Sequence, residues 1–503
     1  MNSVTSNSEL LNLRNVSVRY EHHDTSCWSI KNINLQIAKG EIVLFCGASG
    51  CGKSTLLRLA NGLIPYYFDA DVDGSIQVQG KALEHFNLAL MARQVGSVFQ
   101  NPSSQFFATT VEDELAFALE NQGYPVASIN QRLAEVAEQF SLQDQLPQSI
   151  FELSSGQQQK LACASASMLN PDVYVLDEPS ANLDAEGIAM LRATIQQWRA
   201  QGKTILIAEH RLYYLNGLVD RVVHMAEGQI QDTMTGEQFF SRSSQVLAQQ
   251  GLRPAHFTDL CCSTSATSRF ADSYKLSPIQ LGRNGQMWLD MPSFSFPKGQ
   301  VTTILGANGA GKSSLMKVLG GQYRDKVMLS DNQTQWHWRA RRRHSFFVSQ
   351  HVHQQLIADS VLEEIQLSMP EPSEQVAREW LHQVGLEELA DKHPLAMSRG
   401  QQQRLALLTA LASERELLLL DEPTSGLDWG NMAALAELIQ NACHCNRTVI
   451  VISHDPEFIT QVSQQVLVLE SGYLKSQFDV GADQGQQLLA ELRSFQKLSA
   501  LDA

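Results

Sequence analysis

The chain has 503 residues, 43% of them hydrophobic, and a formal net charge of −15. That is enough apolar material for more than one core, and the acidic balance disfavours non-specific attraction to polyphosphate backbones. No run approaches the ~18 to 20 apolar residues of a membrane-spanning helix, and the polar start Met1-Asn-Ser-Val-Thr-Ser-Asn-Ser lacks the basic and apolar regions of a signal peptide, so the expected compartment is the cytoplasm. Eight scattered cysteines without a Cys-x-x-Cys spacing argue against a disulfide framework and against a zinc or iron–sulfur site, and Cys261-Cys262 and Cys443-His444-Cys445 are too closely spaced for ordinary chelation.

In chain order, residues 11–20 read as a strand, residues 33–37 alternate, and the apolar run 42–46 enters a glycine loop, Gly47-Ala-Ser49-Gly50-Cys51-Gly52-Lys53-Ser54-Thr55. Gln100 follows. Apolar spacings of three and four over 111–119 and 129–140 predict an inserted helical subdomain. Next come Leu153-Ser154-Ser155-Gly156-Gln157, an apolar strand ending in Asp177-Glu178-Pro179, and the strand 204–208 before Glu209-His210. Between 232 and 276 periodicity fades and serine and threonine gather, which predicts a linker with one amphipathic helix around 238–249.

The same series then returns. Gly306-Ala-Asn308-Gly309-Ala-Gly311-Lys312-Ser313-Ser314 is followed by Gln350, Met397-Ser398-Arg399-Gly400-Gln401, Asp421-Glu422-Pro423 and His454. Ser154 to Asp177 and Ser398 to Asp421 are both 23 residues, and Asp177 to His210 and Asp421 to His454 are both 33. Two duplicated domains follow: 1–235 and 277–475, with a linker over 236–276 and a helical tail over 476–503. The expected fold class is α/β, two P-loop nucleoside-triphosphatase domains. Each is a mainly parallel, doubly wound core with an antiparallel β part and a helical insertion.

The chemistry follows from residue types. A glycine loop lets backbone N–H groups approach phosphates, and the following helix aims its positive end at them. Lys53 and Lys312 are placed to neutralise β and γ phosphates. Ser54 and Ser313 are expected to ligate magnesium, with Asp177 and Asp421 on its other side. Glu178 and Glu422 are candidate bases for the attacking water, Gln100 and Gln350 candidates to position that water or the metal, and His210 and His454 candidates to sense the γ-phosphate.

The two Ser-x-Gly-Gln segments, each followed by Gln-Gln-(Lys/Arg)-Leu-Ala, resemble the signature of ATP-binding-cassette ATPases. Asp177-Glu-Pro-Ser-Ala-Asn-Leu-Asp184 and Asp421-Glu-Pro-Thr-Ser-Gly-Leu-Asp428 resemble that family's Walker B motif and D-loop. The resemblance implies ATP and Mg2+ as cofactors and cassettes paired head to tail. One site would then join Lys53, Asp177, Glu178 and His210 to Ser398, Gly400 and Gln401. The other would join Lys312, Asp421, Glu422 and His454 to Ser154, Gly156 and Gln157. Ser155 and Arg399 depart from the usual glycine, and Arg399 is expected to add bulk and charge near the phosphates. Tyr20 matches the adenine-stacking aromatic; the second half has only Trp288 nearby.

Asn101-Pro-Ser-Ser-Gln105-Phe106-Phe107, leading to Val111-Glu112-Asp113-Glu114, and the gapless match Gln350-His-Val-His-Gln-Gln355-Leu356 resemble the ATPases of energy-coupling factor importers of vitamins and metals. That implies a membrane-embedded T-type scaffold and a substrate-binding membrane subunit as partners, no nucleic acid, and a place on the cytoplasmic face of the inner membrane. Phe106 and Phe107 are expected to line a docking groove, and Glu112, Asp113 and Glu114 to accept arginines from the scaffold. The rival is a tandem cassette protein working on ribosomes or nucleic acid, for which the run Trp336-His-Trp-Arg339-Ala-Arg341-Arg342-Arg343-His344 speaks. A fused sugar-importer ATPase fits the length but not the segment after Gln100.

Overall fold

The structure, a computed structural model, describes residues 9–20, 28–260, 272–283, 286–480 and 485–496. The chain divides into two compact units, Met1–Asp259 and Leu260–Ala503. Cys261-Cys262 and the serine- and threonine-rich stretch after them lie outside the described residues.

In the first unit a six-stranded sheet runs in the order Gln229–Thr235, Arg221–Ala226, Ile42–Cys46, Thr204–Ala208, Val173–Asp177, Val95–Val98. All neighbours are parallel except the outer hairpin. Its central strands carry uninterrupted apolar side chains because both faces are covered, so no polar alternation is needed. An antiparallel sheet of Ile30–Ala38, Glu9–Tyr20, Ala70–Val78 and Lys81–Ala82 packs its apolar face, Ile33 and Ile37 among it, against Val43, Phe45 and Leu56. The predicted helical insertion is present as Val111–Asn121 and Val126–Gln139, followed by the signature helix Ser155–Ser167. Helices Gly236–Phe240 and Ser244–Gln249, in the stretch read as linker, belong to the first unit and bury Phe239, Phe240 and Leu247.

The second unit repeats the six-stranded sheet as Ser345–Val348, Leu417–Asp421, Thr448–Ile452, Val301–Leu305, Gln465–Glu470 and Tyr473–Asp479. One difference has a plain cause. The long first strand of the first unit bends at Asn15, whose φ is 50° and where the pairing register shifts. In the second unit Pro278 stands between Ser273–Leu276 and Ile279–Arg283, and these two strands pair into separate sheets. Proline has no N–H to give to a ladder. Residues 476–479, read as the start of the tail, complete the outer strand, and the helix Gly485–Gln496 buries Leu488 and Leu492. Among the described residues no helix is long and apolar enough to cross a membrane.

Candidate active sites

Each glycine loop leaves a fully buried strand and turns into a helix, Lys53–Ala60 or Lys312–Leu319. The turn requires glycine. At Gly47 (φ 149°) a Cβ would lie 2.1 Å from the Met225 carbonyl oxygen, and at Gly306 (φ 155°) 2.5 Å from that of Leu469. Gly52 and Gly311 start the helices in the left-handed region, and no side chain caps either one. Their first turns therefore present backbone N–H groups and a positive dipole end to an anion. Lys53 and Lys312 are buried, with Nζ held by the carbonyls of Gly47 (2.8 Å) and Ala48 (3.0 Å), and of Gly306 (2.7 Å) and Ala307 (2.9 Å). Ser49, Gly50, Asn308 and Gly309 form the crowns of the two loops, with Ser49 and Asn308 exposed.

At the facing strand ends, the Ser54 hydroxyl donates to Asp177 Oδ1 at 3.0 Å. Burial, then the charge of Glu178, pushes Asp177 up to about 6. Asp421 is raised by burial against the opposing pull of a hydrogen bond from Ser313. A hydroxyl beside a half-buried carboxylate oxygen fits Mg2+, a hard cation that completes its shell with phosphate oxygens and water. Among the described residues no group of three or more His, Cys, Asp or Glu side chains is placed to hold a metal by itself.

Glu178 and Glu422 stand at φ 45° and 50°, a conformation rare outside glycine, each pinned by its N–H to the next strand, at Ala208 O (2.8 Å) and Ile452 O (2.9 Å). The pinning turns both carboxylates toward the histidines. His210 Nε2 lies 3.2 Å from Glu178 Oε1, and His454 Nε2 lies 3.3 Å from Glu422 Oε1. Burial pushes Glu422 well above the usual carboxylate range. Gln100 Nε2 donates to Glu178 Oε2 at 2.6 Å. Gln350 holds the equivalent place, two residues beyond its strand.

Both signature serines are N-caps with complete capping boxes. Ser154 accepts from Gln157 N–H while Gln157 Oε1 accepts from Ser154 N–H, and Ser398 and Gln401 do the same. Gly156 and Gly400 lie in the first turns that follow. The Arg399 guanidinium turns back onto the Ser425 hydroxyl of its own unit at 3.2 Å, a contact that motif reading could not anticipate. Tyr20 is half-buried, its hydroxyl 3.3 Å from Thr55 Oγ1 and accepting from Arg58 at 3.0 Å. Ser314 takes the position of Thr55. Trp288, 40% exposed, sits on the strand Gln286–Met291 with its carbonyl 3.4 Å from where a Gly311 Cβ would lie.

One expectation is corrected. Glu114 is 2% exposed and turned inward, accepting from the N–H groups of Phe107 (2.8 Å) and Ala108 (3.0 Å), so it is not on the surface to receive a partner's arginine. Glu364 does the same for Ile357 and Ala358. Each carboxylate braces the loop after the glutamine, which leaves Phe107 75% exposed and Ile357 78% exposed. Phe107 stacks on Phe117, while Phe106 is half-buried; Glu112 and Asp113 remain exposed. In the basic run, Arg341 is fully buried on Asp325 and the Val327 carbonyl, and His344 stacks on Trp336 and bonds Glu416.

The ABC transporter family profile matches residues 30–181 and 289–425, one span in each unit. The chain belongs to the ABC transporter family. It is a tandem ATPase of that family. A putative ABC transporter ATP-binding protein of Treponema denticola is 38% identical over 92% of this chain and 96% of its own length. A putative HMP/thiamine import ATP-binding protein of Bacillus subtilis is 30% identical over 92% of this chain and 89% of its own. Among solved structures, RNase-L Inhibitor is 20% identical with a TM-score of 0.63, covering 95% of this chain and 93% of its own, a likeness of fold.

Proposed function

We propose that this tandem ABC ATPase energises an importer of the energy-coupling factor type, carrying a vitamin, a vitamin precursor or a metal ion. It would work as a peripheral subunit on the cytoplasmic face of the membrane, beside a membrane-embedded T-type scaffold and a substrate-binding membrane subunit. The observation that carries this reading is the pair of braced, apolar loops that follow Gln100 and Gln350. In each unit a buried carboxylate holds the backbone at a large, exposed apolar side chain, Phe107 or Ile357, and Leu367 is 67% exposed at the position matching Phe117. Solvated apolar patches held in fixed geometry suit a protein partner. The import function named for the Bacillus subtilis relative points the same way.

In this reading Lys53 and Lys312, with the N-termini of the helices they begin, bind the ATP phosphates. Ser54 with Asp177, and Ser313 with Asp421, hold Mg2+, which would supply charge neutralisation on the β and γ phosphates. Tyr20 stacks on adenine in the first unit. Glu178 and Glu422 accept the proton of the attacking water, their carboxylates aimed by the Gln100 amide in the first unit and by the His454 backbone N–H in the second. The signature N-termini, headed by Ser154 and Ser398, supply further N–H groups for the γ-phosphate, and its loss on hydrolysis releases them. Gln100 sits directly before the loop bearing Phe107, so a change at the nucleotide is passed to the partner surface within seven residues. Purification of the tagged chain from detergent-solubilised native membranes tests this. A small polytopic scaffold together with a substrate-binding membrane protein is the expected catch, whereas ribosomes without a membrane partner would overturn the assignment.

A further inference from the structure

We infer that Glu209 is a positioning residue of the first unit, tying the loop that carries His210 to residues 180–183, the segment just past the acidic pair. Glu209 is 2% exposed and spends its whole carboxylate on this tie. Oε1 accepts from the N–H groups of His210 (2.7 Å) and Arg211 (3.1 Å), and Oε2 accepts from the Tyr214 hydroxyl (2.9 Å) and the Ser180 N–H (3.3 Å). Arg211 closes the same bridge from the other side, donating to the carbonyls of Ser180 (3.4 Å) and Leu183 (3.3 Å). Arg192 holds the far end of the loop at the carbonyls of Tyr214 and Asn216. Hydrogen bonds to a buried carboxylate are charge-assisted and costly to leave unmade, so the two segments move together or not at all.

The second unit solves the same problem differently. Aligned on the histidines, Ser453 takes the place of Glu209 and Thr424 that of Ser180, and their hydroxyls lie 3.1 Å apart, both buried. The Ser453 hydroxyl also accepts from the Asp455 N–H at 3.1 Å, so a neutral hydroxyl stands where the first unit has a carboxylate. The His210 backbone N–H is held on Glu209, whereas the His454 N–H donates to Glu422 Oε2 at 3.2 Å.

The inference rests on His210 serving hydrolysis, and the test separates the two. In the full-length chain, Glu209→Ser, Glu209→Ser with Ser180→Thr, and His210→Ala are compared for kcat, KM, binding of a fluorescent ATP analogue and unfolding midpoint. Misplacing a catalytic group by about 1 Å costs on the order of 100-fold. Glu209→Ser is thus expected to remove the first unit's share of turnover, with KM and analogue binding within about twofold of wild type. Adding Ser180→Thr, which installs the second unit's hydroxyl pair, is expected to restore most of it. Wild-type kcat in Glu209→Ser beside a lost kcat in His210→Ala would overturn the inference alone. Wild-type kcat in His210→Ala would overturn the reading of the histidine beneath it. A parallel loss of kcat, analogue binding and unfolding midpoint in Glu209→Ser, unrelieved by Ser180→Thr, would reduce Glu209 to a structural residue.

Discussion

Asp177 and Glu178 are consecutive at the end of a buried strand, yet their side chains meet different partners, Ser54 for the first and Gln100 for the second. Asp177 is raised from 3.8 to about 6, so the folded, cation-free chain binds a proton there more readily than the unfolded chain. The sign follows: stability falls as pH rises from about 4 to 6, and the penalty is complete above that window. Asp177→Asn removes the penalty, about 1–3 kcal/mol for a shift of this size. The unfolding midpoint of the nucleotide-free variant at pH 7.5 should therefore lie several degrees above wild type by calorimetry, while hydrolysis is lost. Glu178→Gln and Glu422→Gln remove the proposed proton acceptors and should each lower turnover at their own site by about 10²- to 10⁴-fold with ATP binding retained, as read by single-turnover hydrolysis and analogue binding. Lys53→Ala and Lys312→Ala should instead weaken binding of the fluorescent analogue, by roughly 10- to 100-fold for a lost charge-assisted contact.

At the scale of elements, the signature helices combine a stabilising role with the presentation of N–H groups. Ser154→Ala and Ser398→Ala each take an acceptor from a helix N-terminus, at a cost of about 1 kcal/mol, which chemical denaturation of the full chain should register. The sequence made the repeated elements legible because their demands are local: a positive-φ glycine, a capping serine, an apolar strand ending in a carboxylate. It was less informative where a side chain's direction depends on distant structure. Glu114 stands among acids on what reads as a solvated helix face, but the loop at Phe107 and Ala108 needs an acceptor and draws it inward. The Arg399 guanidinium donates to the Ser425 hydroxyl, a pairing that joins two separate motifs and that neither motif announces. Residues 476–479 look like tail until the register with Gln465–Glu470 makes them an edge strand. The Glu209 bridge joins positions 29 residues apart and leaves no periodic trace.

For the whole molecule, duplication within one chain supplies two cassettes that have diverged in matched places. Phe107 with Phe117 answers to Ile357 with Leu367, Glu209 to Ser453, Tyr20 to a half without an aligned tyrosine. Such paired differences suit a chain whose two halves meet chemically distinct parts of a partner, aromatic in one case and aliphatic in the other. The motif residues, Lys53 and Lys312, Asp177 and Asp421, Glu178 and Glu422, His210 and His454, are kept on both sides, and the surfaces vary. The most direct measurement is to recover the tagged chain from solubilised native membranes beside a Phe107→Glu/Ile357→Glu variant whose folding is verified by circular dichroism. The wild-type chain should bring a polytopic membrane partner that the variant fails to retain. Equal recovery of that partner by both chains, or ribosomes in its place, would contradict the account.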